Sequence, residues 1–360
     1  MKYAAAGVGA VALAGAAYYL GTQGQSAPVQ TTTISAPTAT ATATAALVNK
    51  VHLILYGHTT GSAWDPQLYD TLVSAITKSS SDWKLTVSEG VTEESVSTTM
   101  EQAATNNDLV IASTIVYEGA VKSVAPRFPN VHFILENDPI ATDPTTLISA
   151  TDYPPNVILV GPGCMTNNYV IGALAAKIVG QDAKLGFIQA LDIPSGVHTG
   201  AMLRAGAQSV YPKMEVLRNI NGGFVDPVKT RDAINFMASS GAKAVFVEQD
   251  DTSGILQAVE DNIYVIPSYK DEQSLAPDNV LASSIWNWEA AWTDLMNAHA
   301  SGTWDQYRAS KYYWVMTLAN NGLGLGTFGN MVTSDLQAFA NSLVQDINSG
   351  AKSIPYLDTW

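Results

Sequence analysis

Short apolar runs alternate with amphipathic stretches along most of the chain, and their spacing predicts strands and helices in strict succession. Val51–Tyr56 (VHLILY), Lys84–Val87, Asp108–Ala112 (DLVIA) and Val131–Leu135 (VHFIL) read as buried strands rich in β-branched residues. Between them, Trp64–Ile76 carries Leu68, Leu72, Val73 and Ile76 at helical spacing; Glu93–Ala104 follows as a helix, and Tyr117–Ala125 is a helix stopped by Pro126. In the centre, Val157–Val160 is a strand closed by Gly161-Pro162-Gly163. Tyr169–Val179 is a helix apolar almost all round, Leu185–Ile188 a strand, and a further helix opens at Ser195.

The rhythm then repeats. Lys213–Leu217, Ala242–Val247 and Tyr264–Ile266 read as strands, Pro227–Ala238 and Gly254–Asp261 as helices. Val280–Ser284 starts a return to the first half, followed by helices Trp286–Ala300 and Ser334–Asn348. Tyr312–Phe328 predicts two strands joined at Asn320-Asn321-Gly322, because Asn-Gly is a hairpin signal. Alternation of this kind implies right-handed βαβ units on parallel sheets. The two similar halves predict an α/β protein of two Rossmann-like lobes with a hinge and an interlobe cleft, where a small ligand would sit. Lobe 1 is expected at about 47–180 and 280–360, lobe 2 at about 181–279.

Composition narrows the function. With 47% apolar and 14% charged residues in 360, a packed core is available and wholesale disorder is excluded. A formal net charge of −14 argues against nucleic acid, whose binding depends on Lys and Arg. Cys164, the single cysteine, supplies neither an intrachain disulfide nor a structural zinc set. Lys2 precedes the apolar run Ala4–Leu20, so residues 1–22 read as a signal segment or short membrane anchor. The run lacks a clean small-residue cleavage site and a following lipid-accepting cysteine, which favours a retained tether. Residues 23–46, rich in Thr, Ala and Pro, form a linker resembling O-glycosylated stalks, and residues 47–360 the exported folded part.

Several stretches resemble one known family. Asp108–Phe133 (DLVIASTIVYEGAVKSVAPRFPNVHF), Leu185–Ala207 with its Asp192-Ile193-Pro194, and Phe224–Ala233 (FVDPVKTRDA) are similar in order and spacing to motifs of the basic membrane protein (BMP) family. Its members are substrate-binding proteins of ABC importers, related to purine-nucleoside receptors. The resemblance covers about Val51–Phe328. It implies the type I periplasmic-binding-protein fold, a small-molecule solute such as a nucleoside or sugar, and ABC permease and ATPase subunits as partners; no cofactor is implied. Departures fall at the family's ligand contacts. Trp64 and Asp65 stand where the family has an aromatic residue and an amide, and Gly61 and Gly119 replace acids. Tyr269 stands where a ribose-binding carboxylate is expected, and Trp286 where a lysine is expected.

Candidate ligand residues follow. Trp64, just beyond the first strand, offers a stacking face for a planar ring or else packs in its own lobe; position and resemblance favour stacking. Asp65 accepts a ligand hydrogen bond or sits in a first helical turn that favours negative charge. His58 lies in the first cleft loop, Tyr117 and Glu118 open a helix expected to face the cleft, and Asp192 approaches from lobe 2. Thr252, Ser253 and Gly254 either present helix amides to a polar ligand group or form a simple cap. Trp286 is a better candidate than Trp288, and Trp292 reads as core. Gly324-Leu325-Gly326-Thr327-Phe328-Gly329 has dinucleotide-loop spacing without the strand–helix context that motif needs. The five histidines show no metal-ligand spacing, and no nucleophile elbow is present, so an enzyme is not expected. The reading is an extracytoplasmic solute-binding protein of an ABC importer, tethered at the membrane; the alternative is a sensory or structural surface protein that keeps the fold without transport.

Overall fold

A computed structural model describes residues 34–35, 48–61, 63–137, 149–354, 356–357 and 359–360. The expected anchor and nearly all of the expected linker lie outside the described residues; among these, no helix is long and apolar enough to cross a membrane.

The first sheet contains β1 (Ile34–Ser35), β2 (Asn49–Ile54), β3 (Trp83–Ser88), β4 (Leu109–Ala112), β5 (His132–Glu136), β6 (Val157–Pro162) and β12 (Tyr313–Met316), in the order β1-β3-β2-β4-β5-β6-β12. All pairings are parallel except β1 on β3. Helices cover both faces, which explains strands that are apolar without alternation. On one face, Leu109 and Ile111 meet α1 (Trp64–Lys78), α8 (Glu289–Ala300) and α9 (Trp304–Ser310). On the other, Val110 and Ala112 meet α2 (Val96–Asn106) and α3 (Glu118–Val124).

The second sheet runs β13 (Leu323–Leu325), β11 (Ser284–Trp286), β10 (Tyr264–Tyr269), β9 (Ala242–Val247), β7 (Lys184–Gln189), β8 (Val216–Ile220). Phe187 and Phe246 face α4 (Thr166–Val179) and α5 (Pro194–Val210), while Val245 and Val247 face α6 (Pro227–Ser239) and α7 (Ser253–Glu260). Asp226 and Pro227 start α6 as their sequence directs, the Asp226 carboxylate accepting from Lys229 N at 3.0 Å and proline taking the first helical position. The last helix, α10 (Ser334–Asn348), packs on α4.

Three expectations change. The pair read as a hairpin is split between the lobes: β12 lies parallel to β6 in the first sheet, and β13 antiparallel to β11 in the second. The turn signal is real, since Asn321 has φ +57° and Asn320 Oδ1 accepts from Thr317 N and Gly322 N, but the turn joins lobes instead of strands. Helix α4, expected in lobe 1, packs against α5 and the second sheet, so the chain crosses near 162–166 and not at 180. It also starts earlier than its apolar run, because Asn167 and Asn168 are buried and bonded to Ser284 Oγ at 2.9 and 2.7 Å. Finally, residues 284–286 extend the second sheet before the chain returns at α8. The hinge hydrogen bonds are Gly163 N to Met316 O, Asn287 N to Gly322 O and Leu323 N to Thr317 O.

Helices α4 and α5 cross on glycines. A Cβ at Gly172 would lie 2.0 Å from Leu203 O, and one at Gly206 would lie 1.9 Å from Tyr169 O. Gly172→Ala is therefore expected to cost at least about 1–3 kcal/mol, seen as a fall of several degrees in Tm by calorimetry. Under the first sheet, His132 Nδ1 meets His299 Nδ1 at 2.8 Å and stacks on Trp304 at 4.2 Å. Burial, with His299 adding, lowers the His132 pKa to about 4, and burial lowers that of His299. Folding thus favours the neutral rings. Their contribution is complete above the ordinary histidine range and is lost as pH falls towards 4. The loss of Tm between pH 7 and 4 is expected to be smaller in His132→Asn than in the parent chain.

Candidate functional site

The C-terminal ends of the parallel strands point at the junction between lobes, where open α/β sheets place their ligand loops. From lobe 1 comes the start of α1. Its first amides are not left to solvent: Ala63 N and Trp64 N donate to Asp250 Oδ1 at 2.6 and 2.5 Å. Asp250 follows β9, so a lobe 2 carboxylate caps a lobe 1 helix, and the positive end of α1 stabilises its charge. Gln67 Nε2 adds a second interlobe contact, donating to Trp286 O at 3.0 Å.

Around this cap lie four aromatic rings. Trp64 makes edge contacts with Tyr269, Trp286 and Trp288 at centroid distances of 5.1, 5.4 and 5.4 Å, and its Nε1 donates to Ser113 O at 3.2 Å. Trp64 is half-buried and the other three are buried. Its indole is thus engaged by the protein's own rings, a departure from an open stacking face. Tyr269, at the end of β10, has φ +74°, an uncommon backbone state for a bulky residue.

Charge is concentrated here too. Asp65 is 4% exposed; its Oδ2 accepts from Gly57 N at 2.9 Å, while Oδ1 is buried without a partner. Burial first, and Asp250 next, raise its pKa to about 7 against the opposing N–H groups of Gly57 and Tyr56. Glu272, beyond β10, is likewise raised to about 7, by burial and then by Asp250 and Asp251, with Lys270 opposing. Among the described residues, Ser113 Oγ, Asp251 Oδ2 and Ser253 Oγ are also buried without partners. An open cavity of about 500 Å³ lies beside the hinge, lined by Gln67, Lys270, Asp271, Ile285 and Asn287 among others; none of the expected ligand residues lines it.

The structure thus gathers Trp64, Asp65, Tyr269 and Trp286 at the lobe junction, and it adds Asp250, Ser113 and Trp288. Thr252 is exposed at the start of α7 without a side-chain cap bond, Ser253 N is taken by Asp251 Oδ1, and a Cβ at Gly254 would press on Val247. Tyr117 does not face the cleft. It is fully buried under the first sheet, and its hydroxyl donates to Val91 O. Glu118 pairs with Lys122 at 2.8 Å and accepts from Tyr153, and exposed Asp192 pairs with Arg218 at 2.8 Å. His58 sits beside Gly90, at the ends of β2 and β3. Asp250 was legible only as one acid in Gln249-Asp250-Asp251-Thr252; its reach across to α1 leaves no mark in local spacing.

Two α/β lobes joined by three crossings, with strand ends converging on an aromatic and acidic junction, define the class of two-lobed solute-binding proteins. The family model for Bmp, ABC transporter substrate-binding protein PnrA-like, matches residues 48–358, and the chain belongs to that family. It is similar to TsgA13 of Haloferax volcanii, provisionally named an ABC transporter glucose-binding protein, with 24% identity over 62% of this chain and 54% of the relative. The chain thus spans about half the length of that curated relative. Its fold is similar to a solute-binding protein of an ABC transporter system from Conexibacter woesei DSM 14684, with TM-score 0.70, 22% identity and coverage of 86% of this chain and 99% of that one. A solute-binding protein from Aeropyrum pernix K1 has the same TM-score of 0.70 at 15% identity, covering 86% and 94%.

The raised Asp65 pKa carries a sign. Folding favours its protonated form, so its contribution is complete below the ordinary carboxylate range and is lost as pH rises through about 7. Asp65→Asn keeps an acceptor for Gly57 N and removes the charge. Its Tm relative to the parent chain is expected to improve from pH 5 to about pH 7 and to level off above it; a constant difference would contradict the assignment.

Proposed function

We propose that this chain is the extracytoplasmic receptor of an ABC importer, closing its lobes over a ring-bearing polar solute, a sugar or a nucleoside, and presenting it to the permease. One observation carries the reading: a lobe 2 carboxylate, Asp250, accepts from the first amides of a lobe 1 helix beside a cluster of aromatic rings drawn from both sides. Such a contact forms only on closure. Solute binding can therefore be coupled to it by hinge motion at 163, 287 and 322. Opening frees the α1 amides, the Trp64 indole and the unpartnered oxygens of Asp65 and Ser113 for a guest. Aromatic side chains at 269 and 286 favour ring faces over the ionic clamps of nucleoside receptors, and the name of the Haloferax relative supports a sugar. Family membership supports binding without turnover. An N-terminal membrane tether is part of the same proposal.

Titration calorimetry of the full chain with a monosaccharide and nucleoside panel tests it. Binding of one member is expected, with Trp64→Ala weakening it at least about ten-fold through loss of an aromatic contact and its buried area. Unchanged affinity in that variant would remove Trp64 from the site.

A further inference from the structure

The open cavity beside the hinge is lined by none of the four rings, and its walls come from both lobes. Gln67 reaches it from α1, Asn287 from the crossing after β11, and Lys270 and Asp271 from the loop after β10. The rest of the wall includes Leu325, Gly326 and Thr327, part of the glycine-rich stretch with dinucleotide-loop spacing. Its amides form no phosphate cradle, since Gly326 N donates to Ser283 O at 2.8 Å and Thr327 N to Asp271 Oδ2 at 3.0 Å. Its glycine serves close approach instead. A Cβ at Gly326 would lie 2.8 Å from Asp271 Oδ1, so a side chain there would displace that carboxylate. At about 500 Å³ the cavity is of the size that small-molecule sites have.

Several polar groups of this lining keep hydrogen-bonding capacity unused. Lys270 is half-buried, yet among the described residues its ammonium has no ion pair, not even with its chain neighbour Asp271. Asn287 Oδ1 accepts from Glu289 N at 3.2 Å, which leaves the Nδ2 hydrogens to be given elsewhere. Gln67 Nε2 donates to Trp286 O at 3.0 Å, which leaves Oε1 as an acceptor. Asp271 is engaged unevenly: Oδ2 accepts from Thr327 N and Oγ1 at 3.0 and 2.6 Å, Oδ1 only from Gln273 N at 3.3 Å. The lining thus pairs a cation and an amide donor with a carboxylate and an amide acceptor, alongside half-buried Ile285 and Leu325.

We propose that this cavity is a second binding site, for a zwitterion of the free α-amino acid class with an aliphatic side chain. Its carboxylate is taken by Lys270 and Asn287 Nδ2, its ammonium by Asp271 Oδ1 and Gln67 Oε1, and its side chain by Ile285 and Leu325. A simple anion would meet Asp271 and a simple cation would meet Lys270, whereas a zwitterion answers both charges. The site does not depend on the reading of the ring junction. Because Gln67 belongs to lobe 1 and the other partners to lobe 2 and the crossing, an occupant touching them all favours one interlobe angle, so its binding is linked to the hinge.

Thermal shift and titration calorimetry on the full chain at pH 7 test the proposal with three probes. Leucine carries both charges, leucinamide lacks the carboxylate, and 4-methylpentanoate lacks the ammonium. Leucine is expected to bind at least about ten-fold tighter than either analogue, a factor within reach of one charge-assisted hydrogen bond. Lys270→Met keeps the aliphatic stem and removes the charge; with no ion pair to break, its Tm should stay that of the parent chain. In that variant the preference for leucine over leucinamide should fall below about three-fold. Equal binding of all three probes would overturn the proposal, as would binding of none. A preference for leucine that survives in Lys270→Met would also overturn it, placing the amino acid elsewhere. The sugar and nucleoside titrations judge the receptor reading separately, so either idea can fail while the other stands.

Discussion

The Asp250 carboxylate on the first amides of α1 is the contact on which the closed form depends. A helix start is a place where N–H groups have no intrahelical acceptor, and in an open molecule water would serve them. Here the acceptor comes from the other lobe, so the same donors that could hold a guest report whether the lobes have met. Burial first, and Asp250 next, raise the Asp65 proton affinity beside this contact.

Around that contact lies a cluster of rings. The positions where resemblance to nucleoside receptors calls for a carboxylate and a lysine hold Tyr269 and Trp286, both buried and in edge contact with Trp64. Buried rings provide large contact area with little rotamer entropy, and their selectivity is for shape and charge sign more than for a hydrogen-bond pattern.

One buried cluster joins the two lobes through the junction, while few elements are shared. The three crossings are short, and the covering helices divide cleanly, α1, α2, α3, α8 and α9 on the first sheet and α4, α5, α6, α7 and α10 with the second. Within lobe 2 the glycine contacts at 172 and 206 bring α4 and α5 backbone to backbone in a tight crossing.

Periodicity by itself determined which segments are strands and helices, because strand and helix burial follow local residue spacing, and β4 and α6 were readable to within a residue or so. The order of motifs also determined the two-lobed fold and the family. Trp64, Tyr269 and Trp286 were legible as junction residues since each ends a strand or follows one. Partner choice was not legible. The all-apolar α4 states that it is buried but not against which sheet, and an Asn-Gly turn looks the same whether it joins neighbours or lobes. Tyr117 follows a strand end just as Trp64 does, yet its ring turns into the core, where Val91 O takes its hydroxyl proton. Asp250 and Asp65 are 185 residues apart, and their mutual repulsion exists only once the hinge brings the lobes together. Spacing along the chain records local geometry; contacts across a hinge are set by packing alone.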